Sequence, residues 1–194
     1  MLYWTGYIFF TLFSWLCFPR RIIGRENIPT HGSFIIASNH VSNLDPFIIG
    51  ITFRRRVCFV AKEELFKNKV LGFVLSHWGA FPIRRNTADF RALRETLRRL
   101  KAGFPVVIFP EGTRKALKRK DEPESGIGFL AVKGGVPVIP VYVQDSDKVL
   151  PPGQKFPRRH TVTLYFGRAV TCSNGEPYPQ IAERIMQQIN ALPV

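Results

Sequence analysis

The sequence predicts a single α/β domain, in which helices flank a central mixed and largely parallel sheet, preceded by a hydrophobic helix. The chain of 194 residues fits one domain of ordinary size. Short apolar runs typical of strands alternate with helical patterns, which is the order of elements in layered α/β folds. The first 18 residues carry no charge. We therefore divide the chain into an N-terminal helix at 1–21 and an α/β domain at 22–194.

The N-terminal run is aromatic as well as uncharged. Residues 1–18 contain eight aromatic side chains, and the run ends at Pro19, Arg20 and Arg21. As a helix it would be about 27 Å long, which is borderline for a membrane span of about 20 residues. Aromatic side chains favour the membrane interface, and the two arginines would lie among lipid headgroups. We expect a membrane anchor, monotopic or single-spanning, at the cytoplasmic face of the inner or cell membrane. The alternative is a buried core helix.

Six apolar runs predict the strands of the sheet, at residues 34–37, 57–60, 79–83, 106–109, 136–143 and 161–166. A helix is predicted over 89–102, because apolar residues recur at the spacing of one buried face and a glycine follows. Its expected core residues are Phe90, Leu93, Leu97 and Leu100. A closing helix is predicted over 178–192, with a buried stripe of Ile181, Ile185, Ile189 and Leu192.

The net charge and the cysteine content of the chain indicate which kinds of partner it binds and in which kind of compartment it works. The chain has 28 Lys and Arg against 14 Asp and Glu, a net charge of +14, which indicates an anionic partner: nucleic acid, a membrane surface or an acidic substrate. Residues 54–120 hold 18 of the basic residues and five of the acidic ones, so nearly the whole excess of positive charge lies in this stretch. The three cysteines are scattered without a CxxC pair, which favours a reducing compartment and no structural zinc.

The first candidate for a catalytic site is the run NHVSNLD at residues 39–45, directly after a predicted strand. His40 and Asp45 are five residues apart, so one helix would place them about 140° apart. Asp45 suits the N-cap and Pro46 the first turn of a following helix, and the loop before them can bring the carboxylate back to His40. Such a carboxylate fixes the tautomer of the imidazole and stabilises the imidazolium. The alternative is that both residues are structural, with Asp45 only capping a helix and His40 only making hydrogen bonds to backbone groups at the end of a strand.

Two further runs lie at the ends of predicted strands. FPEGTR at residues 109–114 combines Gly112, which allows a tight turn with exposed amides, with the Thr113 hydroxyl and the Arg114 guanidinium, which suit a phosphate. GAFPIRR at residues 79–85 ends in Arg84 and Arg85, which suit a phosphate or face water. Taken singly, each run favours an ordinary turn or a solvated surface.

Together the three runs resemble the glycerolipid acyltransferases, in particular the 1-acylglycerol-3-phosphate (lysophosphatidate) acyltransferases. That family carries an NHxxxxD block, a glycine-to-arginine block, an FPEGTR block and a Val-Pro-rich block, in that order. The fourth block here is VPVIPV at residues 136–141, and the resemblance covers residues 22–192. The chain departs from the family pattern at Arg84, where relatives often have an acid, and over the basic stretch 115–120, where they often have a shorter polar turn.

The resemblance implies transfer of a fatty acyl group from an acyl thioester to the free sn-2 hydroxyl of 1-acylglycerol 3-phosphate, giving phosphatidate. It implies His40 as the general base and Asp45 as the residue that orients it. The acceptor site it implies consists of Arg85, Glu111, Gly112, Thr113 and Arg114, with Arg84 as a further candidate. Because a thioester is already activated, no covalent acyl intermediate is expected. No metal is expected, because the sequence shows no cluster of His and carboxylates, and no bound cofactor is expected; the co-substrate is acyl-CoA or acyl-acyl carrier protein. The expected partners are membrane lipids, lysophosphatidate and the acyl carrier, and not nucleic acid.

Two alternatives stay open. One is an acyltransferase for another acceptor, such as glycerol 3-phosphate or another lysophospholipid. The other is a non-catalytic, basic membrane- or nucleic-acid-binding module, because basic helix faces such as that of 89–102 bind phosphates without specificity. A panel of acceptors separates the first alternative from the main prediction, and binding without thioester consumption would favour the second.

Overall fold

The computed structural model describes residues 2–83, 89–110, 126–151, 154 and 156–193, and its strands form one sheet. The strands are β1 Arg20–Ile23, β2 Ile35–Ser38, β3 Cys58–Lys62, β4 Ala80–Ile83, β5 Val106–Ile108, β6 Val138–Gln144 and β7 Val162–Phe166. They lie in the order β1-β7-β6-β2-β5-β3-β4. All neighbours pair in parallel except β6 and β7, which are antiparallel. The predicted α/β class with a mixed, largely parallel sheet is confirmed.

Helices cover both faces of this sheet. They are α1 Leu2–Cys17, α2 Asp45–Gly50, α3 Lys69–His77, α4 Phe90–Lys101, α5 Gly126–Gly134, α6 Ser146–Val149 and α7 Tyr178–Asn190, with 3-10 turns at Arg25–Asn27 and Glu63–Phe66. Alternate residues of β2 point into two separate apolar layers. Ile36 lies in the layer that also holds residues of α1, α2 and α3, and Ile35 lies in the layer of α4, α5 and α7. The central strands are therefore apolar on both faces, as buried parallel strands require.

The six predicted strands are all present, with ends that differ by at most two residues, but β1 was not predicted. Its sequence, RRII, begins with two arginines, and its residues alternate between half-buried and exposed. This pattern fits an edge strand that pairs with β7 alone. An edge strand lacks the continuous apolar run that identified the strands of the interior.

The predicted helix over 89–102 is α4, but its core face differs from the prediction at one position. Phe90 is 72% exposed, so its assignment to the core was wrong. The fully buried residues are Ala92, Thr96 and Leu100, at intervals of four, and the predicted Leu93 and Leu97 are half-buried and pack against the same apolar layer. Phe90 precedes Ala92 by two residues and so lies about 160° away around the helix axis. The predicted closing helix is α7, in which Ile181, Ile185 and Ile189 are buried as predicted. It ends at Asn190, so Leu192, the last residue of the predicted stripe, lies beyond the helix and is half-buried.

The N-terminal run forms helix α1, which packs on the sheet along one side. The Phe10 ring lies 5.5 Å from the ring of Phe47 in α2 and 5.4 Å from that of Trp78. The opposite side of α1 is exposed and apolar, with Phe9, Leu12 and Trp15 at 70%, 64% and 78% exposure. Within the described ranges, each helix is too short or too polar to cross a membrane.

Gly128, in the interior of α5, allows a close approach of α7. A Cβ atom on Gly128 would lie 2.3 Å from the carbonyl oxygen of Tyr178. Glycine-to-alanine changes inside helices usually stabilise by roughly 1 kcal/mol. Here we expect Gly128→Ala to lower the free energy of unfolding by about 1–3 kcal/mol, because the backbone of α7 must move. Gly126→Ala in the same helix is the control, since its nearest neighbour would lie 3.9 Å away. Equal thermal denaturation midpoints for the two variants would contradict this expectation.

Candidate active site

Strand β2 carries His40 to the carboxyl edge of the sheet, where Asp45 meets it. His40 Nδ1 lies 2.8 Å from Asp45 Oδ2. Asp45 is fully buried and His40 is 8% exposed. On one continuous helix these two residues would lie too far apart to make contact. They do make contact, because residues 41–44 form a loop that folds back on itself. The predicted approach of the carboxylate to the imidazole is therefore observed.

Asp45 is the first residue of α2 and not its N-cap, so that part of the prediction was wrong. The N-cap position is occupied by Leu44, and Pro46 lies in the first turn as predicted. Asp45 Oδ2 accepts hydrogen bonds from the backbone N–H groups of Val41, at 2.9 Å, and Ser42, at 2.8 Å. The carboxylate thus turns away from the amides of its own helix towards the preceding loop. It holds the loop and the imidazole together.

The contacts of Asp45 also define the hydrogen-bonding state of His40. Oδ2 already accepts from two backbone N–H groups, so the group facing His40 is an acceptor and Nδ1 carries the proton. Nε2 is then the ring nitrogen with a free lone pair. It makes no hydrogen bond to any residue in the described part of the chain. The arrangement is suited to removing a proton from a bound hydroxyl group.

The ring of Phe109 covers one face of His40. The two ring centroids are 4.1 Å apart, with an angle of 22° between the planes. Phe109 follows β5, which pairs in parallel with β2 so that Ile108 lies opposite Ala37. The FPEGTR run therefore begins in contact with the imidazole.

The other residues predicted for the acceptor site lie outside the described residues. They are Arg84 and Arg85, directly after the end of β4 at Ile83, and Glu111, Gly112, Thr113 and Arg114. The basic stretch 115–120 also lies outside them. In the described ranges, no three His, Cys, Asp or Glu side chains cluster as metal ligands would.

Two polar residues of this edge were given no role by sequence reasoning. The Asn39 side chain donates to the carbonyl of Val143 at 2.9 Å and accepts from the N–H of Val143 at 2.7 Å, which ties β2 to β6. The hydroxyl of Ser146 donates to Asp45 Oδ1 at 2.5 Å. One signal could have found Ser146. It is among the first polar residues after the run at 136–143, and parallel neighbours bring their carboxyl ends to one edge.

Comparison with known proteins gives a consistent set of similarities. The family model described as "Acyltransferase" matches residues 19–144, more than half of the chain. The chain is 31% identical over 137 residues to 1-acyl-sn-glycerol-3-phosphate acyltransferase BAT2, chloroplastic, of Brassica napus. It is 32% identical over 126 residues to the 1-acyl-sn-glycerol-3-phosphate acyltransferase of Bacillus subtilis.

These matches are partial in length. They cover 69% and 64% of this chain, but only 40% of the Brassica protein and 62% of the Bacillus protein. A solved structure, that of the 1-acyl-sn-glycerophosphate (LPA) acyltransferase PlsC from Thermotoga maritima, resembles the chain with a TM-score of 0.73 and 30% sequence identity. The likeness covers 93% of this chain and 73% of that one.

Proposed function

The chain belongs to the acyltransferase family, and on that premise we propose that it acylates the free sn-2 hydroxyl of 1-acylglycerol 3-phosphate, giving phosphatidate. The observation that carries this proposal is the buried His40–Asp45 pair, whose Nε2 has no hydrogen-bond partner among the described residues and whose ring stacks on Phe109, the first residue of the FPEGTR run. The names of the Brassica, Bacillus and Thermotoga relatives support this acceptor. The acyl donor is a thioester, acyl-CoA or acyl-acyl carrier protein.

In the proposed reaction His40 moves one proton. Nε2 takes the proton of the acceptor hydroxyl while the hydroxyl oxygen attacks the carbonyl carbon of the thioester. A C–O bond forms, and the carbonyl oxygen becomes an oxyanion. When the carbonyl re-forms, the C–S bond breaks and the leaving thiolate takes the proton from His40. Asp45 stabilises the imidazolium between these steps, and no covalent enzyme intermediate is needed.

The acceptor is held through its phosphate in this proposal. Arg85 and Arg114 would supply charge-assisted hydrogen bonds to the phosphate oxygens. Backbone amides of the motif loops would stabilise the oxyanion. The rest of the acceptor site would be formed by Glu111, Gly112 and Thr113, with Arg84 as a further candidate.

The test is turnover by the purified protein. Incubation with lysophosphatidate and acyl-CoA, or with acyl-acyl carrier protein, should give phosphatidate and free thiol in equal amounts. Parallel reactions with glycerol 3-phosphate and other lysophospholipids test the alternative acceptors, and faster turnover of one of these would replace lysophosphatidate as the substrate. Phosphate-dependent binding without thiol release from any mixture would instead favour a binding module.

We also propose that the protein works on a membrane surface, at the cytoplasmic face, with residues 1–21 as the anchoring segment. The exposed side of α1 carries the aromatic and aliphatic side chains that favour a lipid interface. Helix α3 lies beside α1, because Trp78 at the end of α3 packs on Phe10 of α1. Helix α3 also exposes two apolar side chains, Val70 and Phe73. Two exposed lysines, Lys67 and Lys69, lie at the start of α3 and suit anionic headgroups.

Replacing Phe9, Leu12 and Trp15 together by serine should lower binding to vesicles of anionic phospholipid at least about tenfold. A large apolar side chain contributes on the order of 1.5–3 kcal/mol to the free energy of membrane binding when it leaves water completely. Three side chains that are each partly inserted contribute about as much together. Co-sedimentation measures the bound fraction. Phe90→Ser is the control, because Phe90 is equally exposed but lies on the helix layer at the other face of the sheet. Wild-type binding by the triple variant, or an equal loss in the control, would contradict the proposal.

A further inference from the structure

The two oxygens of the Asp45 carboxylate are held by different parts of the chain. Oδ2 contacts His40 Nδ1 and the amides of Val41 and Ser42, all within six residues of Asp45. Oδ1 accepts the hydroxyl of Ser146, which lies 101 residues further along the chain, at 2.5 Å. Both partners are fully buried. A hydrogen bond from a hydroxyl to a carboxylate is charge-assisted and stronger than one between neutral groups, and it opposes rotation of the carboxylate about its Cβ–Cγ bond.

The backbone before Ser146 adopts an unusual conformation. Asp145 has φ of 67° and ψ of 12°, and it is the one non-glycine residue with a positive φ among those described. Asparagine and aspartate visit this left-handed region more often than other residues, but it is still uncommon for them. Two side chains contact the carboxylate of Asp145. Lys148 Nζ lies 2.8 Å from Oδ1 and His160 Nε2 lies 3.3 Å from Oδ2. The turn ends β6 at Gln144 and begins α6 with Ser146 facing the carboxylate.

Rigid elements set the distance between the two loops. Strands β2 and β6 pair in parallel, with Ser38 opposite Val141. The side chain of Asn39 continues this pairing by two hydrogen bonds to the backbone of Val143. Residues carried on paired strands keep their relative position better than residues on free loops. The Ser146 hydroxyl is therefore a fixed point against which the carboxylate is oriented.

We propose that Ser146 is a positioning residue for acyl transfer, which rests on the function proposed above. Its hydroxyl holds Oδ1 so that Oδ2 stays on His40 Nδ1. That contact keeps the proton on Nδ1 and leaves Nε2 as the base. Asp145 contributes by the backbone conformation that presents the hydroxyl.

The experiment compares Ser146→Ala with Thr96→Val. Thr96 is also buried, and its hydroxyl also makes a hydrogen bond, to the carbonyl of Ala92 in α4. We expect Ser146→Ala to lower kcat about 10- to 100-fold, because a small misplacement of a reacting group has this effect. KM for both substrates should stay within about twofold, because neither substrate loses a contact. Thr96→Val should keep the wild-type kcat, and Ser146→Thr, which retains the hydroxyl, should restore most of the loss.

A second readout separates positioning from a purely structural role. The ¹⁵N chemical shifts of the His40 ring nitrogens distinguish the Nδ1–H tautomer from the Nε2–H tautomer. The wild-type protein should show the Nδ1–H form, and Ser146→Ala should show a mixture of both. If Ser146→Ala does not fold, Ser146→Cys keeps the volume with a weaker donor, and the same fall in kcat and the same mixture are expected of it.

Wild-type kcat in the folded variant, or an unchanged tautomer with a lowered kcat, would overturn the proposal. The tautomer measurement requires no turnover. A wild-type protein that consumes no thioester would therefore refute the proposed function, while the ¹⁵N shifts would still decide whether Ser146 orients the pair.

Discussion

Replacement of His40 by alanine should lower kcat for acyl transfer by about 10²–10⁴-fold, which is the usual contribution of a general base. The fold should persist, because Asp45 keeps its other donors. The amides of Val41 and Ser42 and the hydroxyl of Ser146 still satisfy the buried carboxylate. The substitution should therefore slow the chemical step, which lowers kcat, and KM should change little.

The control for this variant is His31→Ala, since His31 is an exposed histidine in the loop before β2. Steady-state kinetics with lysophosphatidate and acyl-CoA measure the loss, and thermal denaturation checks that each variant is folded. A kcat close to wild type in His40→Ala would remove the histidine from the mechanism.

The His40–Asp45 pair could be predicted because it is local in the chain. Five residues separate its members, and Pro46 indicates where the next helix begins, so a returning loop is the simplest path. The hydrogen bonds of the carboxylate could not be predicted. Whether it caps its own helix or turns to the amides of Val41 and Ser42 depends on the path of the loop. The contact with Ser146 depends on β6 lying beside β2, and a sequence does not give the order of strands.

The same distinction applies to the fold. The interior strands were predicted because burial on both faces demands continuous apolar runs, as in β2 and β5. Helix α3 was not predicted because its exposed side carries apolar residues such as Val70 and Phe73, which removes the contrast between a polar and an apolar face. One local signal for α3 was available. Asn68 caps it, accepting from the amides of Val70 and Leu71.

Asp45→Asn should reduce kcat about 10²-fold or more while the fold is retained, because the amide can replace the carboxylate bond for bond. Its carbonyl oxygen in the place of Oδ2 accepts from Val41, Ser42 and His40 Nδ1. Its NH₂ group in the place of Oδ1 donates to the hydroxyl of Ser146, which is able to accept. The reverse orientation would set the NH₂ group against two backbone N–H donors. The change therefore removes the charge that stabilises the imidazolium and little else.

Asp45→Ala provides the matched comparison for stability. It leaves the N–H groups of Val41 and Ser42 and the hydroxyl of Ser146 without their acceptor, two of these three residues being buried. Unsatisfied buried donors cost about 1–3 kcal/mol each, so we expect the free energy of unfolding to fall by about 2–5 kcal/mol. Thermal or urea denaturation should then place Asp45→Ala well below Asp45→Asn, although both have low kcat. If Asp45→Asn instead turned over at the wild-type rate, the charge of Asp45 would have no part in catalysis, and its role would be limited to holding the loop that carries His40.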